Sequence, residues 1–104
     1  KARGVYLLQA GEVAYFRAQG DFVEAVDLSG ASHLLSYTLQ TLEELLDPSA
    51  FCRINRSELI AFGVINNYEQ YTKNRLAIGL KGSKEVLYTS NSRSPAFRQW
   101  LEEH

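Results

Sequence analysis

Short runs rich in β-branched and aromatic residues, each closed by a few turn-forming residues, recur along almost the whole chain. This punctuation constrains the fold more than any other feature of the sequence. A run of four to eight such residues fits a strand, and a break of about three polar residues leaves room only for an immediate reversal, so neighbouring runs pair antiparallel. "LIAFGVINNYEQY", "RLAIGLKG" and "KEVLYTS", separated by "TKN" and "KGS", predict a three-stranded meander. Upstream, Val5 to Phe16 is broken at Ala10 and Gly11 and predicts two short strands. In "GDFVEAVDLSGASHLLSY", Phe22, Glu24 and Val26 fall on one face and Asp21, Val23 and Ala25 on the other, with Ser29 and Gly30 as a hairpin turn.

The period changes twice. From Thr38, a natural N-cap, Leu39, Leu42 and Leu46, with Leu45 alongside, form one helical stripe, while Gln40, Glu43, Glu44 and Asp47 face out and Pro48 closes the element. At the other end, Ser94 is placed to cap a helix with Pro95 at its first position, and Phe97, Trp100 and Leu101 give that helix an apolar face to dock on a sheet. The count is then eight to ten short strands and two small helices, a mostly β fold with sequential strands paired.

A chain of 104 residues, 45% hydrophobic and 22% charged, suits one globular domain spanning residues 1–104. It begins at Lys1 and holds no methionine, as expected of a piece of a longer polypeptide. No run approaches the ~18 apolar residues that span a bilayer. The single Cys52 has no partner for an internal disulfide, so a cytoplasmic setting is expected, with no membrane contact. The net charge of −1 conceals an asymmetry: residues 1–50 carry three Lys/Arg against seven Asp/Glu, whereas residues 51–104 carry eight against five. A polyanion would meet the second half.

Enzyme chemistry finds little purchase. His33, His104 and Cys52 lack metal-ligand spacing. No serine sits in a nucleophile motif, and no glycine-rich phosphate or dinucleotide loop is present. Cys52, between Phe51 and Arg53, reads as a small packing residue. Neither catalysis nor a cofactor is expected. What remains is a set of polar loops. Arg53, Asn55, Arg56 and Ser57 form the densest; Lys73, Asn74, Arg75, Lys81 and Lys84 occupy turns of the meander; Ser90, Asn91, Ser92 and Arg93 precede the last helix. Guanidinium forks pair with guanine edges or phosphate, asparagine with adenine, and serine with phosphate, so the chemistry suits DNA. Solvated turns use the same residue types for backbone reasons.

"LQTLEELL", followed by "FCRINRSELIAFGVI" and later "KEVLYTS", resembles the LytTR-type DNA-binding domain, whose pattern is a short leucine- and glutamate-rich helix and then F-x-R-x-H-R-S with an apolar continuation. "EVAYFRAQGDFVEAV" matches the family's opening strand, polar loop and next strand, so the similarity covers residues 12 to 101. The resemblance implies an elongated arrangement of small antiparallel sheets with one short helix between them and a short C-terminal helix. It implies a bacterial transcriptional regulator of two-component or related signalling, joined to a receiver or membrane sensor domain. Loops, rather than a recognition helix, enter successive major grooves of double-stranded DNA, and related regulators occupy paired direct repeats.

Carried over by position, Arg56 is a DNA contact, and Arg53 and Ser57 give phosphate or structural support. Asn55 stands at the motif's histidine and cannot gain charge at mildly acid pH. Asp21, with Gly20, stands in the first contact loop, where a carboxylate repels phosphate yet accepts from a cytosine amino group. Ser90, Asn91 and Ser92 precede Arg93 where the family has serine followed by arginines, and Ala61 replaces a frequent asparagine. The expectation is that Arg56, Asn55 and Arg93 read or line the grooves while Arg53, Lys73, Arg75 and Ser90 hold the backbone. The rival is a protein-interaction module that kept the fold with weak or no DNA binding and docks through strand edges or the "YEQY" aromatics.

Overall fold

The computed structural model describes residues 9–104. Eight strands and two α-helices follow in order: β1 (Val13–Gln19), β2 (Phe22–Asp27), β3 (Ser32–Leu35), α1 (Leu39–Leu45), β4 (Phe51–Asn55), β5 (Glu58–Ala61), β6 (Ile65–Thr72), β7 (Arg75–Leu80), β8 (Val86–Tyr88) and α2 (Ser94–Glu102). They form two antiparallel sheets, ordered β3-β2-β1-β5-β4 and β6-β7-β8, in a body of 48 × 27 × 25 Å. Mostly β and elongated, the fold is the one the sequence led to. Of the two strands predicted before Phe16, the first lies outside the described residues. A 3-10 turn at Ala10–Glu12 leads into the second, β1.

β1 and β2 are joined by Gly20 and Asp21; Gly20 has φ 57°, a left-handed conformation that glycine adopts without steric cost. Phe16 pairs with Ala25 and Ala18 with Val23, so Val23 and Ala25 point into the core as the alternation predicts. The β2–β3 turn is organised by Asp27, whose Oδ1 accepts from Ser29 N (2.9 Å), Ser29 Oγ (2.6 Å) and Ala31 N (3.0 Å), while Oδ2 lies 2.8 Å from His33 Nε2. The His33 contact, then the Ser29 hydroxyl, holds this carboxyl well below the usual carboxylate range. A depressed folded-state pKa contributes stability above the unfolded value, here 3.8, and loses it as pH falls through the folded one. Asp27→Asn is therefore expected to lower the thermal midpoint at pH 7, with the gap from the parent closing towards pH 2 in parallel melts.

α1 carries the chain from the β3 edge to the opposite edge, where β4 starts and β5 turns back to pair with β1. Thr38 caps it as expected, accepting from Thr41 N (3.0 Å), and Leu39 and Leu42 are buried against the sheet. Leu45 is not: at 67% exposure it departs from the expected stripe, because the helix ends there and contributes only two turns of buried face.

The run "LIAFGVINNYEQY" is divided between the sheets rather than forming one strand. Glu58–Ala61, all buried, completes the first sheet; a 3-10 corner at Phe62–Val64 then swings the chain into β6, the largely exposed edge of the second. No proline or polar cluster marks this corner, so periodicity alone passes through it. The β6-β7-β8 meander forms as expected.

Ser94 is the first residue of α2, and its side chain does not cap it. Its hydroxyl is buried within 2.6 Å of Thr89 Oγ1 and 2.8 Å of the Asn74 and Ser90 carbonyls. The helix is thereby fastened to the β6–β7 turn and to the segment that follows β8. Phe97 lies at the centre of the shared core, packed against Trp100 (5.9 Å between ring centroids) and edge-on to Tyr68 (6.2 Å). Trp100 Nε1 donates to the Pro48 carbonyl (2.9 Å), tying α2 to the β4 side of the first sheet.

Candidate nucleic-acid interface

The β4–β5 hairpin is held by its own side chains. Arg53 donates through Nε to the Asn55 carbonyl (2.8 Å) and through Nη2 to the Arg56 carbonyl (2.6 Å), and Nη1 is paired with Glu43 of α1 (3.1 Å). Asn55 Oδ1 accepts from Ser57 N (2.7 Å), closing the turn. Asn55 Nδ2 donates to Glu58 Oε1 (3.0 Å) and, across to the second sheet, to the Tyr88 carbonyl (2.7 Å). Glu58, only 9% exposed, shares its other oxygen with Arg17 (2.7 Å), which also reaches Glu85 (3.2 Å). A fixed hairpin is the result, with Arg56 at its exposed tip.

Between this hairpin and the second sheet runs an open groove of about 790 Å³. Arg17 and Glu58 lie in its wall on one side, with Asn55, Arg56 and Ser57 at the hairpin; Arg75, Val86 and Tyr88 face them, and Ser90, Asn91 and Ser92 close the end. Arg75 donates through Nε to the Thr89 carbonyl (3.0 Å) and lies over the rings of Tyr71 (5.3 Å) and Tyr88 (5.8 Å).

The six described arginines differ in what they have left to offer. Arg17, Arg53 and Arg93 are paired with carboxylates, and Arg98 donates to Gln70 Oε1. Arg56 and Arg75 alone keep both terminal nitrogens without a partner among the described residues, and both line the groove. The groove thus presents two unneutralised guanidinium forks, one from each sheet.

Of the residues singled out from sequence, Asn55, Arg56, Ser57, Arg75, Ser90, Asn91 and Ser92 are brought together here. Arg53 backs the hairpin from behind. Arg93 lies outside the lining, 3.6 Å from Glu43, while Ser90 Oγ accepts from its backbone N (3.2 Å). Asp21 sits exposed in the β1–β2 turn, one strand from the hairpin, where Ala18 N donates to the Ser57 carbonyl (2.8 Å). Lys73 is exposed in the β6–β7 turn, and Lys81 is exposed in the β7–β8 turn, outside the groove lining. Arg17, Glu58 and Tyr88 escaped notice as site residues, because each lies within or beside a strand-like run and joins the groove only through pairing between distant strands. Cys52 is half buried, and burial pushes its thiol up to about 11. Among the described residues no cluster of three or more histidine, cysteine or acidic side chains is placed to hold a metal, and no helix is long and apolar enough to cross a membrane.

The sequence matches the LytTr DNA-binding domain family over residues 3–102. The chain belongs to that family. The match takes in the whole of residues 12–101 over which the resemblance was drawn, and the LytTr assignment makes this a DNA-binding domain rather than a member of an enzyme family. Among solved structures it is similar to the LytTr DNA-binding domain of a protein from Bacillus cereus described as a methyl-accepting/DNA response regulator. The two share 23% sequence identity, with a TM-score of 0.82 over 88% of this chain and 82% of that one, so they share the fold. No curated protein matches the chain.

Proposed function

We propose that the chain binds double-stranded DNA with sequence specificity as the output domain of a bacterial transcriptional regulator. The observation that carries this reading is the pair of unneutralised guanidinium groups, Arg56 and Arg75, offered from two sheets to one groove beside polar turns. Membership of the LytTr family supports DNA as the partner, and the description of the Bacillus cereus relative supports a response-regulator setting. In this reading the hairpin tip enters a major groove and Arg56 pairs with a base edge. Ser57, Arg75, Ser90 and Asn91 meet the adjoining backbone, with Asp21, Lys73 and Arg93 at the flanks. Arg53 and Asn55 act by holding the hairpin, since their polar groups are already engaged within it. Residues 1–104 then form one DNA-binding unit of a longer, cytoplasmic regulator with a receiver or membrane sensor domain, and two copies occupy direct repeats.

Selection from a random duplex library supplies the target sequence. On that duplex Arg56→Ala is expected to cost about 1–3 kcal/mol, the range for a bidentate base contact, with little change in affinity for unrelated DNA. An equal loss on both duplexes would make Arg56 a backbone contact. A second reading rests on β6, an edge strand with Tyr68 and Tyr71 about half exposed. It makes the domain a docking module, and enrichment of no sequence by the selection would favour it.

A further inference from the structure

The two free guanidinium groups are held very differently. Arg56 projects from a turn, whereas Arg75 is held before any ligand arrives: Nε is bound to the Thr89 carbonyl at 3.0 Å, and the rings of Tyr71 and Tyr88 lie together 5.3 and 5.8 Å from its central carbon. The rings are themselves packed together, with centroids 4.6 Å apart, so β6, β7 and β8 each contribute one side chain to a single clamp. Tyr71 is 53% exposed, more than a residue present only to fill a core, and no hydrogen bond engages its hydroxyl among the described residues. We infer that Tyr71 and Tyr88 are positioning residues that hold Arg75 as a preset fork for one DNA phosphate. The inference rests on the DNA-binding reading and adds to it a mechanism for affinity.

The physical case is entropic. An arginine that must be ordered on binding costs free energy that an already ordered one does not, and a planar fork matches two phosphate oxygens only when its orientation is fixed. Stacking on an aromatic face fixes that orientation and leaves the cation's charge intact. The ring, not the hydroxyl, is what Tyr71 supplies. Arg75 forms the phosphate contact, and the tyrosines act through it.

The test uses the selected duplex with Tyr71→Phe, Tyr71→Leu, Arg75→Ala and the double variant Tyr71→Leu with Arg75→Ala. Tyr71→Phe is expected to bind within about twofold of the parent. Tyr71→Leu is expected to bind roughly three- to tenfold more weakly, the range for releasing one ordered side chain, with an unchanged salt dependence. Arg75→Ala is expected to flatten the logarithmic salt slope by about one unit, and Tyr71→Leu is then expected to add no further loss in its background. A loss for Tyr71→Leu that persists undiminished without Arg75 overturns the clamp, since it makes the tyrosine an independent contact or a fold residue. Wild-type affinity for Tyr71→Leu overturns it as well. A parent chain that binds no duplex overturns the DNA-binding reading itself, a result distinct from either of these.

Discussion

Phe97→Ala is expected to destabilise the fold by about 3–5 kcal/mol, the range for truncating a fully buried aromatic. Phe97 has no exposed surface and touches Trp100 of its own helix and Tyr68 of the second sheet, while Trp100 in turn reaches the Pro48 carbonyl beside the first. The cavity therefore opens where α2 joins both sheets. A domain of this size has about 5–15 kcal/mol of total stability, so the variant retains a small margin at most. Urea unfolding followed by tryptophan fluorescence checks the value. Leu45→Ala, at a position 67% exposed, is the matched control and is expected to change stability by less than about 0.5 kcal/mol. A Phe97→Ala loss as small as that of Leu45→Ala would mean that α2 does not bridge the sheets.

The second large effect is expected at Asn55. Its amide supplies two donors and one acceptor, meeting Glu58, the Tyr88 carbonyl and the Ser57 N–H. Asn55→Leu leaves all three without their partner, and at about 1 kcal/mol or more for each group that water replaces imperfectly, a total of about 2–4 kcal/mol follows. Asn55→Asp retains the acceptor for Ser57 but sets a carboxylate against Glu58 and a carbonyl, so it too is expected to destabilise, most strongly where both acids are ionised. Chemical denaturation at pH 7 and pH 4 separates the two: the deficit of Asn55→Asp shrinks at the lower pH and that of Asn55→Leu does not. The same link joins the Arg56 hairpin to β8, so both substitutions are also expected to weaken binding to the selected duplex relative to unrelated DNA.

What the sequence disclosed follows the range of its interactions. The Thr38 cap, the Ser29–Gly30 turn and the β6-β7-β8 meander rest on contacts a few residues apart, and local pattern reveals them. The corner at Phe62–Val64 and the division of "LIAFGVINNYEQY" do not, since which side of a strand is covered depends on elements that arrive from elsewhere in the chain. The site shows the same contrast. "RINRS" and the serine-rich turn before α2 announce themselves as polar clusters, and they meet in the groove. That Arg53, Arg93 and Arg17 are neutralised by Glu43, Glu58 and Glu85 while Arg56 and Arg75 are left open is a matter of pairing over 10 to 68 residues of chain. A count of positive charges cannot see it. The near-neutral net charge is accordingly no obstacle to a polyanion ligand, because the charges that matter are the ones without partners.

The central claim is that this groove and its flanking turns grip the phosphates of a duplex. The most direct measurement is the affinity for the selected duplex as a function of salt, for the parent chain and for the double variant Arg56→Ala with Arg75→Ala. About four to six phosphate contacts predict a logarithmic slope near −4 to −5 for the parent, and the double variant is expected to bind far more weakly with a slope shallower by about one unit. A flat salt dependence in the parent, or a double variant whose affinity and slope match it, would contradict the account.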